Sequence, residues 1–167
     1  MAPLNVLFLC TGNSARSIFG EALMNQLPLT AGKFRGFSAG SHPKGEVHPL
    51  ALDLLRSQNM SVVGLRSKSW DEFGAAGAPH MDLVITVCDQ AASEVCPIWP
   101  GQPTTTHWSV PDPAGAVLPG EDRQKLFFEA FITLRRRIEL FASLPFDKLS
   151  GLALQERLDE IANVAPR

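Results

Sequence analysis

The apolar run Val6-Leu7-Phe8-Leu9 ends directly in the polar octet Cys10-Thr11-Gly12-Asn13-Ser14-Ala15-Arg16-Ser17, and a helical pattern begins at once. A buried strand, a tight polar loop and a helix in that order leave few folds open. The strand delivers Cys10 to the C-terminal edge of a sheet, where ligands of parallel α/β sheets bind. A cysteine, five residues and an arginine in such a loop suit a tetrahedral oxyanion. The loop's backbone N–H groups can curl inward as an anion nest. Gly12 is expected to take a turn that a side chain would resist. The helix, starting near Ala15 or Arg16, aims its positive end at the same spot. Arg16 adds a planar fork that can grip two oxygens at once. These positive features would favour the thiolate of Cys10 and so make it a nucleophile. Ser17 can donate a hydrogen bond to that sulfur. The expected oxyanion-binding set is therefore Thr11, Gly12, Asn13, Ser14, Ala15, Arg16 and Ser17. A cysteine at a strand end is otherwise a small buried hydrophobe. The strand before it, the glycine and polar filling within the loop, and the helix after it favour the functional reading.

The remaining chain alternates strands with helices. Leu4–Leu9 reads as the first strand and Arg16–Gln26 as a helix with Ile18, Phe19, Ala22 and Leu23 on its apolar side, ended by Pro28. Phe34–Ala39 is a second strand, closed by Gly40-Ser41. His48–Ser57 is a helix with Pro49 in its first turn. A short helix is expected within Ser67–Phe73. Asp82–Val87 is a third strand and Thr104–Trp108 a fourth. The longest helix, Glu121–Leu144, carries Phe127, Phe131, Leu134, Ile138 and Phe141 at spacings of four and three, a core stripe and not a cofactor box. Arg135-Arg136-Arg137 beside it reads as a solvated face. Ser150–Val164 is a last helix with Leu154, Leu158 and Ile161 inward. Apolar strands without alternation, separated by helices, imply a parallel sheet covered on both faces.

At 167 residues the chain suits one domain, 1–167. Apolar residues make up 45% and charged residues 19%, as in an ordinary globule, and a net charge of −2 offers nothing to nucleic acid or an anionic membrane. No apolar run approaches the roughly 20 residues that span a bilayer. No leader pattern precedes the first strand, so a cytoplasmic setting with reduced thiols is expected. The three cysteines then suggest reactive thiols. No CxxC pair or Cys/His cluster has zinc spacing, and no metal is expected.

Two more constellations fall at strand ends. Ser109-Val110-Pro111-Asp112-Pro113-Ala114 is a proline-stiffened loop around one carboxylate. Asp112 alone would be a turn former. Beside an anion loop it is a candidate general acid that protonates the oxygen leaving the anion's central atom. Cys88 follows the third strand, and Cys96 lies eight residues on. Either could be structural. Two thiols at the active edge also suit disulfide exchange with a sulfur-linked intermediate on Cys10. At that separation, bridging Cys88 and Cys96 needs the intervening loop to refold. His107 reads as structural, and Trp108 as a wall of the pocket.

The first loop, Cys10 to Ser17, resembles that of the low-molecular-weight tyrosine phosphatase superfamily. Further segments are closer to its arsenate reductase branch: Phe37-Ser38-Ala39-Gly40, Asp82 to Cys88, Cys96-Pro97-Ile98-Trp99-Pro100 and His107 to Gly115. The resemblance spans roughly positions 4 to 145. It implies a three-layer α/β sandwich on a four-stranded parallel sheet of order 2-1-3-4. It makes Cys10 the nucleophile, Arg16 the oxyanion clamp and Asp112 the general acid. Cys88 becomes the thiol that attacks the Cys10–arsenic adduct, and Cys96 its partner in a later disulfide. Arsenate is the implied substrate, with phosphate or sulfate as mimics. No bound cofactor is implied; the reductant is an external thiol, thioredoxin or glutathione with glutaredoxin. A monomer is expected. Two departures bear on the donor. Ala15 stands where thioredoxin-coupled relatives often carry another cysteine, and the Cys88–Cys96 interval is one residue longer than in the best-known thioredoxin-coupled form.

The alternative enzyme is a phosphatase that hydrolyses phosphomonoesters through a Cys10 phospho-intermediate. Phosphate and arsenate share charge and shape, so the anion loop cannot separate them. Against the phosphatase, the chain has no tyrosine, whereas tyrosine phosphatases of this family usually place one after the Asp-Pro of the acid loop. Here Asp112-Pro113 is followed by Ala114-Gly115. A phosphatase also needs no resolving thiols. A non-enzymatic anion-binding module is the third reading, and it would not need Asp112.

Overall fold

The computed structural model describes residues 2–88, 103–113 and 120–164. Four strands, β1 (Leu4–Cys10), β2 (Phe34–Gly40), β3 (Leu83–Thr86) and β4 (Thr104–His107), form one parallel sheet in the order β2-β1-β3-β4. This is the order the resemblance implied. The connections carry helices α1 (Arg16–Gln26), α2 (Pro49–Ser57) and the four-residue α3 (Asp71–Gly74); α4 (Gly120–Ala142) and α5 (Gly151–Ile161) follow β4. Strand β1 lies between β2 and β3, so the chain leaves it in both directions and opens a crevice at its C-terminal end.

Alternation along β1 divides the core. Val6, Phe8 and Cys10 point to a large layer in which α1, α4 and α5 bury Ile18, Phe19, Leu23, Phe127, Phe131, Leu134, Ile138, Phe141 and Leu158. Leu7 and Leu9 point to a smaller layer with Ala39, Phe73, Met81 and Val84, and with Phe37 and Trp70 at its rim. Both faces of the sheet are covered at its centre, which is why β1 and β3 read as continuous apolar runs. Helix α1 is buried along most of its length, and Phe19 meets Phe131 of α4 edge to face at 5.6 Å. A Cβ at Gly20 would fall 2.5 Å from the ring of Phe8, so glycine lets α1 lie directly on β1.

Several expectations need correction. Within Ser67–Phe73 the helix is only the turn Asp71–Gly74, because Ser67 to Ser69 run along the end of β2. Trp108 does not wall the pocket. It is fully buried, donates its indole N–H to Leu158 O at 3.0 Å and packs on Phe141. The triple arginine is not one solvated face. Arg135 and Arg136 are exposed, but Arg137 is buried and donates to Val164 O at 3.1 Å and Ser109 O at 3.0 Å. His107 is structural as read: its Nδ1 lies 2.8 Å from Thr86 Oγ1.

Candidate active site

The register Cys10↔Gly40 brings the ends of β1 and β2 level, and the loop 11–15 turns over that edge. Gly40 makes this close approach possible: a Cβ there would lie 2.5 Å from Thr11 O and 2.9 Å from Cys10 O. The turn itself is not made by Gly12, which has no positive φ and where a Cβ would meet only the flexible Lys44 side chain. The left-handed residue is Asn13, at φ 45. Asparagine is among the few residues that tolerate this region. Helix α1 begins at Arg16 with no side chain capping its first turn, so its N-terminal N–H groups stay available to an anion.

Inside the loop the Cys10 sulfur is held closely. Asn13 N–H donates to it at 3.2 Å, and Ser17 Oγ lies 2.9 Å away. Asn13 Nδ2 donates to Ser17 Oγ at 2.7 Å. With that oxygen already accepting, Ser17's own hydroxyl hydrogen is left for the sulfur. Cys10, Asn13 and Ser17 are all buried. The segment after β2 wraps the loop from outside: His42, Lys44 and His48 N–H groups donate to the Thr11, Gly12 and Ser14 carbonyls at 2.9, 3.0 and 2.9 Å. Those carbonyls are thereby turned outward, which leaves the N–H side of the loop to the cleft.

Arg16 ties this loop to the segment after β4. Its Nη1 donates to Val110 O at 2.9 Å, and its Nη2 lies 3.7 Å from Asp112 Oδ1. Cys88, just past β3, accepts from Thr11 N–H at 3.2 Å, with Thr11 Oγ1 at 3.5 Å. Cys10 and Cys88 are both free thiols. All four of Cys10, Arg16, Cys88 and Asp112 line one cleft of about 550 Å³, together with Thr11, Gly12, Ser14, Ala15 and the rim residues His42 and Lys44. Asn13 and Ser17 sit behind its wall. Cys96 lies outside the described residues. Among those residues no group of three or more His, Cys, Asp or Glu side chains is placed to hold a metal ion, and no helix is long and apolar enough to cross a membrane.

Two residues near the site were not singled out in the sequence. His48 caps α2 by accepting from Leu50 N–H at 3.1 Å and stacks on Phe127 at 4.7 Å. Burial, with Lys44 and Arg123 nearby, pushes its imidazole down from the ordinary histidine value, against the opposing pull of Asp112 and Glu46. Lys68 is buried behind the anion loop, where burial pushes its ammonium down and Glu21 opposes the shift. A lysine between two serines gives no local sign of burial. The position of His48 directly before Pro49 was a usable sign of a helix start.

A cysteine–arginine loop at the switch point of a 2-1-3-4 parallel sheet, with an aspartate loop across the cleft, defines the class of fold and site. The chain belongs to the low molecular weight phosphotyrosine protein phosphatase family, whose model matches residues 5–145. Curated relatives of the chain include arsenate reductases. One from Bacillus cereus is 36% identical over 110 residues, covering 66% of this chain and 77% of the relative. One from Bacillus anthracis is 36% identical over 114 residues, covering 68% and 80%. Among solved structures, an arsenate reductase in the phosphate binding state superposes with a TM-score of 0.66 at 26% identity, covering 84% of this chain and 97% of that one. A low molecular weight protein tyrosine phosphatase from T. tengcongensis superposes with a TM-score of 0.60 at 26% identity, covering 81% and 98%.

Proposed function

We propose that the protein is an arsenate reductase in which Cys10 is the nucleophile. The observation that carries this reading is the second thiol: Cys88 Sγ opens on the cleft of Cys10, 3.2 Å from Thr11 N. Hydrolysis of a phospho-cysteine uses water and gives such a thiol nothing to do. Reduction of arsenic needs it.

Arsenate is held by the loop N–H groups of residues 11–17 and by Arg16. The Cys10 thiolate attacks arsenic while an arsenate hydroxyl takes a proton from Asp112 and leaves as water. The Cys88 thiolate then attacks the Cys10 sulfur. The S–As bond breaks, its electron pair goes to arsenic, As(V) becomes As(III), and arsenite departs from a Cys10–Cys88 disulfide. Attack of Cys96 on Cys88 would free Cys10 and leave a Cys88–Cys96 disulfide for an external thiol to reduce. This reading takes residues 1–167 as one domain working as a monomer in a cytoplasmic, reducing setting, where the thiols are regenerated.

Arsenate-dependent oxidation of NADPH tests it, run with thioredoxin and thioredoxin reductase in one arm and with glutaredoxin, glutathione and glutathione reductase in the other. Wild-type protein turns over in at least one arm, and Cys88→Ser turns over in neither while still hydrolysing an aryl phosphate slowly. Cys96→Ser separates the donors: it is inactive where the donor reads the Cys88–Cys96 disulfide and active where glutathione attacks directly. Undiminished arsenate turnover by Cys88→Ser would remove Cys88 from the relay, and a wild type that turns over in neither arm but hydrolyses the aryl phosphate would replace the reductase by the phosphatase reading.

A further inference from the structure

The mechanism leaves Lys68 unused, although its ammonium is enclosed: its side chain is 7% exposed. Nζ donates to Arg66 O at 2.8 Å and lies 3.4 Å from both Glu21 Oε1 and Ser38 Oγ. Ser38 in turn donates to the same Glu21 oxygen at 2.6 Å. Three oxygen partners match the three N–H bonds of an ammonium. Such a cage joins the 66–68 segment to α1 through Glu21 and to β2 through Ser38.

The backbone of the same residue reaches the nucleophile. Lys68 N–H donates to Asn13 Oδ1 at 2.8 Å. A backbone N–H can only donate, so the Asn13 amide must turn its oxygen to Lys68 and its Nδ2 to Ser17 Oγ, 2.7 Å away. That orientation frees the Ser17 hydroxyl for Cys10 Sγ at 2.9 Å. With the amide reversed, Ser17 would donate to Asn13 and the sulfur would lose its hydroxyl donor, keeping only Asn13 N–H. Gly40 N–H donates to Lys68 O at 2.9 Å, which fixes the segment's height along β2.

We propose that Lys68 is a positioning residue for the Cys10 thiolate: its caged ammonium pins the 66–68 segment, and the pinned N–H sets the Asn13 amide that leaves Ser17 free to donate to the sulfur. The inference rests on Cys10 as the reactive thiol of the proposed reductase. Its first readout needs no arsenate.

The test compares wild type with Lys68→Met and Lys68→Ala. The pH midpoint of Cys10 alkylation by iodoacetamide is followed by peptide mapping, beside kcat and KM for arsenate and a thermal melt. A thiolate that loses one of its two donors is expected to titrate about one pH unit higher, equivalent to a tenfold weaker preference for the charged form. Lys68→Met therefore raises the midpoint and lowers kcat with KM little changed. In Lys68→Ala, added ammonium chloride fills the vacated cage and brings the midpoint back, whereas tetramethylammonium chloride, too large to enter, does not. Folded variants with a wild-type midpoint would overturn the proposal, even with a lower melting temperature, because Lys68 would then only stabilise the fold. A Lys68→Ala protein that misfolds in both salts, or whose shift ammonium fails to reverse, also counts against it. A shifted midpoint in a protein whose wild type reduces no arsenate would leave the positioning role standing and remove the reductase reading instead.

Discussion

The two loops that meet over the cleft are held in opposite ways. In the anion loop, Cys10, Asn13 and Ser17 are 3%, 0% and 0% exposed, and their polar atoms bond one another or the backbone around them. The aspartate loop is tied to the rest of the fold at its base. Val110 N–H donates to Val87 O at 3.0 Å, and the Ser109 and Val110 carbonyls accept from Arg137 and Arg16. Beyond them Asp112 is 47% exposed, and its Oδ1 lies 3.7 Å from Nη2 of the largely buried Arg16. The difference teaches a division of labour. In the proposed mechanism the Cys10 nucleophile and its loop must stand ready before substrate arrives. Asp112 must there reach an oxygen that moves as it leaves, and a fastened base with a solvent-facing tip suits that role. Arg16 links the two, because its guanidinium lines the cleft beside Cys10 and bonds Val110 O of the aspartate loop.

That contrast can be broken from either side. Cys10→Ser should abolish arsenate reduction altogether, since a hydroxyl in the same nest stays protonated and is a far poorer nucleophile; measurable turnover by the purified variant would remove Cys10 from the chemistry. Arg16→Lys comes next. A point charge cannot replace a planar fork that serves the anion and Val110 O together, so both sulfate or arsenate affinity and turnover should fall. An unchanged dissociation constant, read by calorimetry, would show that Arg16 holds only the acid loop. Asp112→Asn should act on rate alone, with a loss in the range of about 10²–10⁴ for general acid catalysis, and with anion binding equal or slightly stronger. A change under about threefold at the optimum pH would make Asp112 a turn residue.

The smallest effect concerns the wall behind the nest. The folded state holds the His48 imidazole below its ordinary value, chiefly by burial. The unfolded chain therefore binds more protons in the window just below the ordinary value of 6.5, and stability contributed by neutral His48 is present above that pH and lost as pH falls through the depressed value. Thermal melts from pH 7 to 5 should show wild type losing more stability than His48→Gln. Parallel curves would exclude His48 from the acid response.

Much of this arrangement was legible in the sequence. All four strands were read within one or two residues, β1 and β3 from apolar runs, and the bounds of α1 match outright, because Arg16 to Gln26 carry an unbroken apolar side and Pro28 stops the pattern. Cys10, Arg16, Cys88 and Asp112 were found because topology places the ends of β1, β3 and β4 on one edge. What escaped was decided by partners far away in the chain. Arg137 is buried because Ser109, 28 residues off, and Val164, 27 residues off, offer it carbonyls. Lys68 is buried because Glu21, 47 residues off, faces it. Trp108 left the pocket for the core once α5 brought Leu158 O within reach of its N–H. Asn13 took the left-handed turn assigned to Gly12, since its side chain bonds both Lys68 N and Ser17 Oγ from that conformation. Local pattern reports periodicity and turn chemistry; it is silent on which distant group will compensate a buried charge.

The central claim is that Cys88 takes over the sulfur of Cys10, and one mass measurement tests it directly. Fully reduced wild-type protein is given one equivalent of arsenate with no thiol reductant, quenched with an alkylating agent, and mapped by mass spectrometry while released arsenite is quantified. The relay predicts a loss of two hydrogens and a disulfide that includes Cys88, formed in step with arsenite. Arsenite released from protein whose Cys88 is still a free, fully alkylated thiol would contradict it.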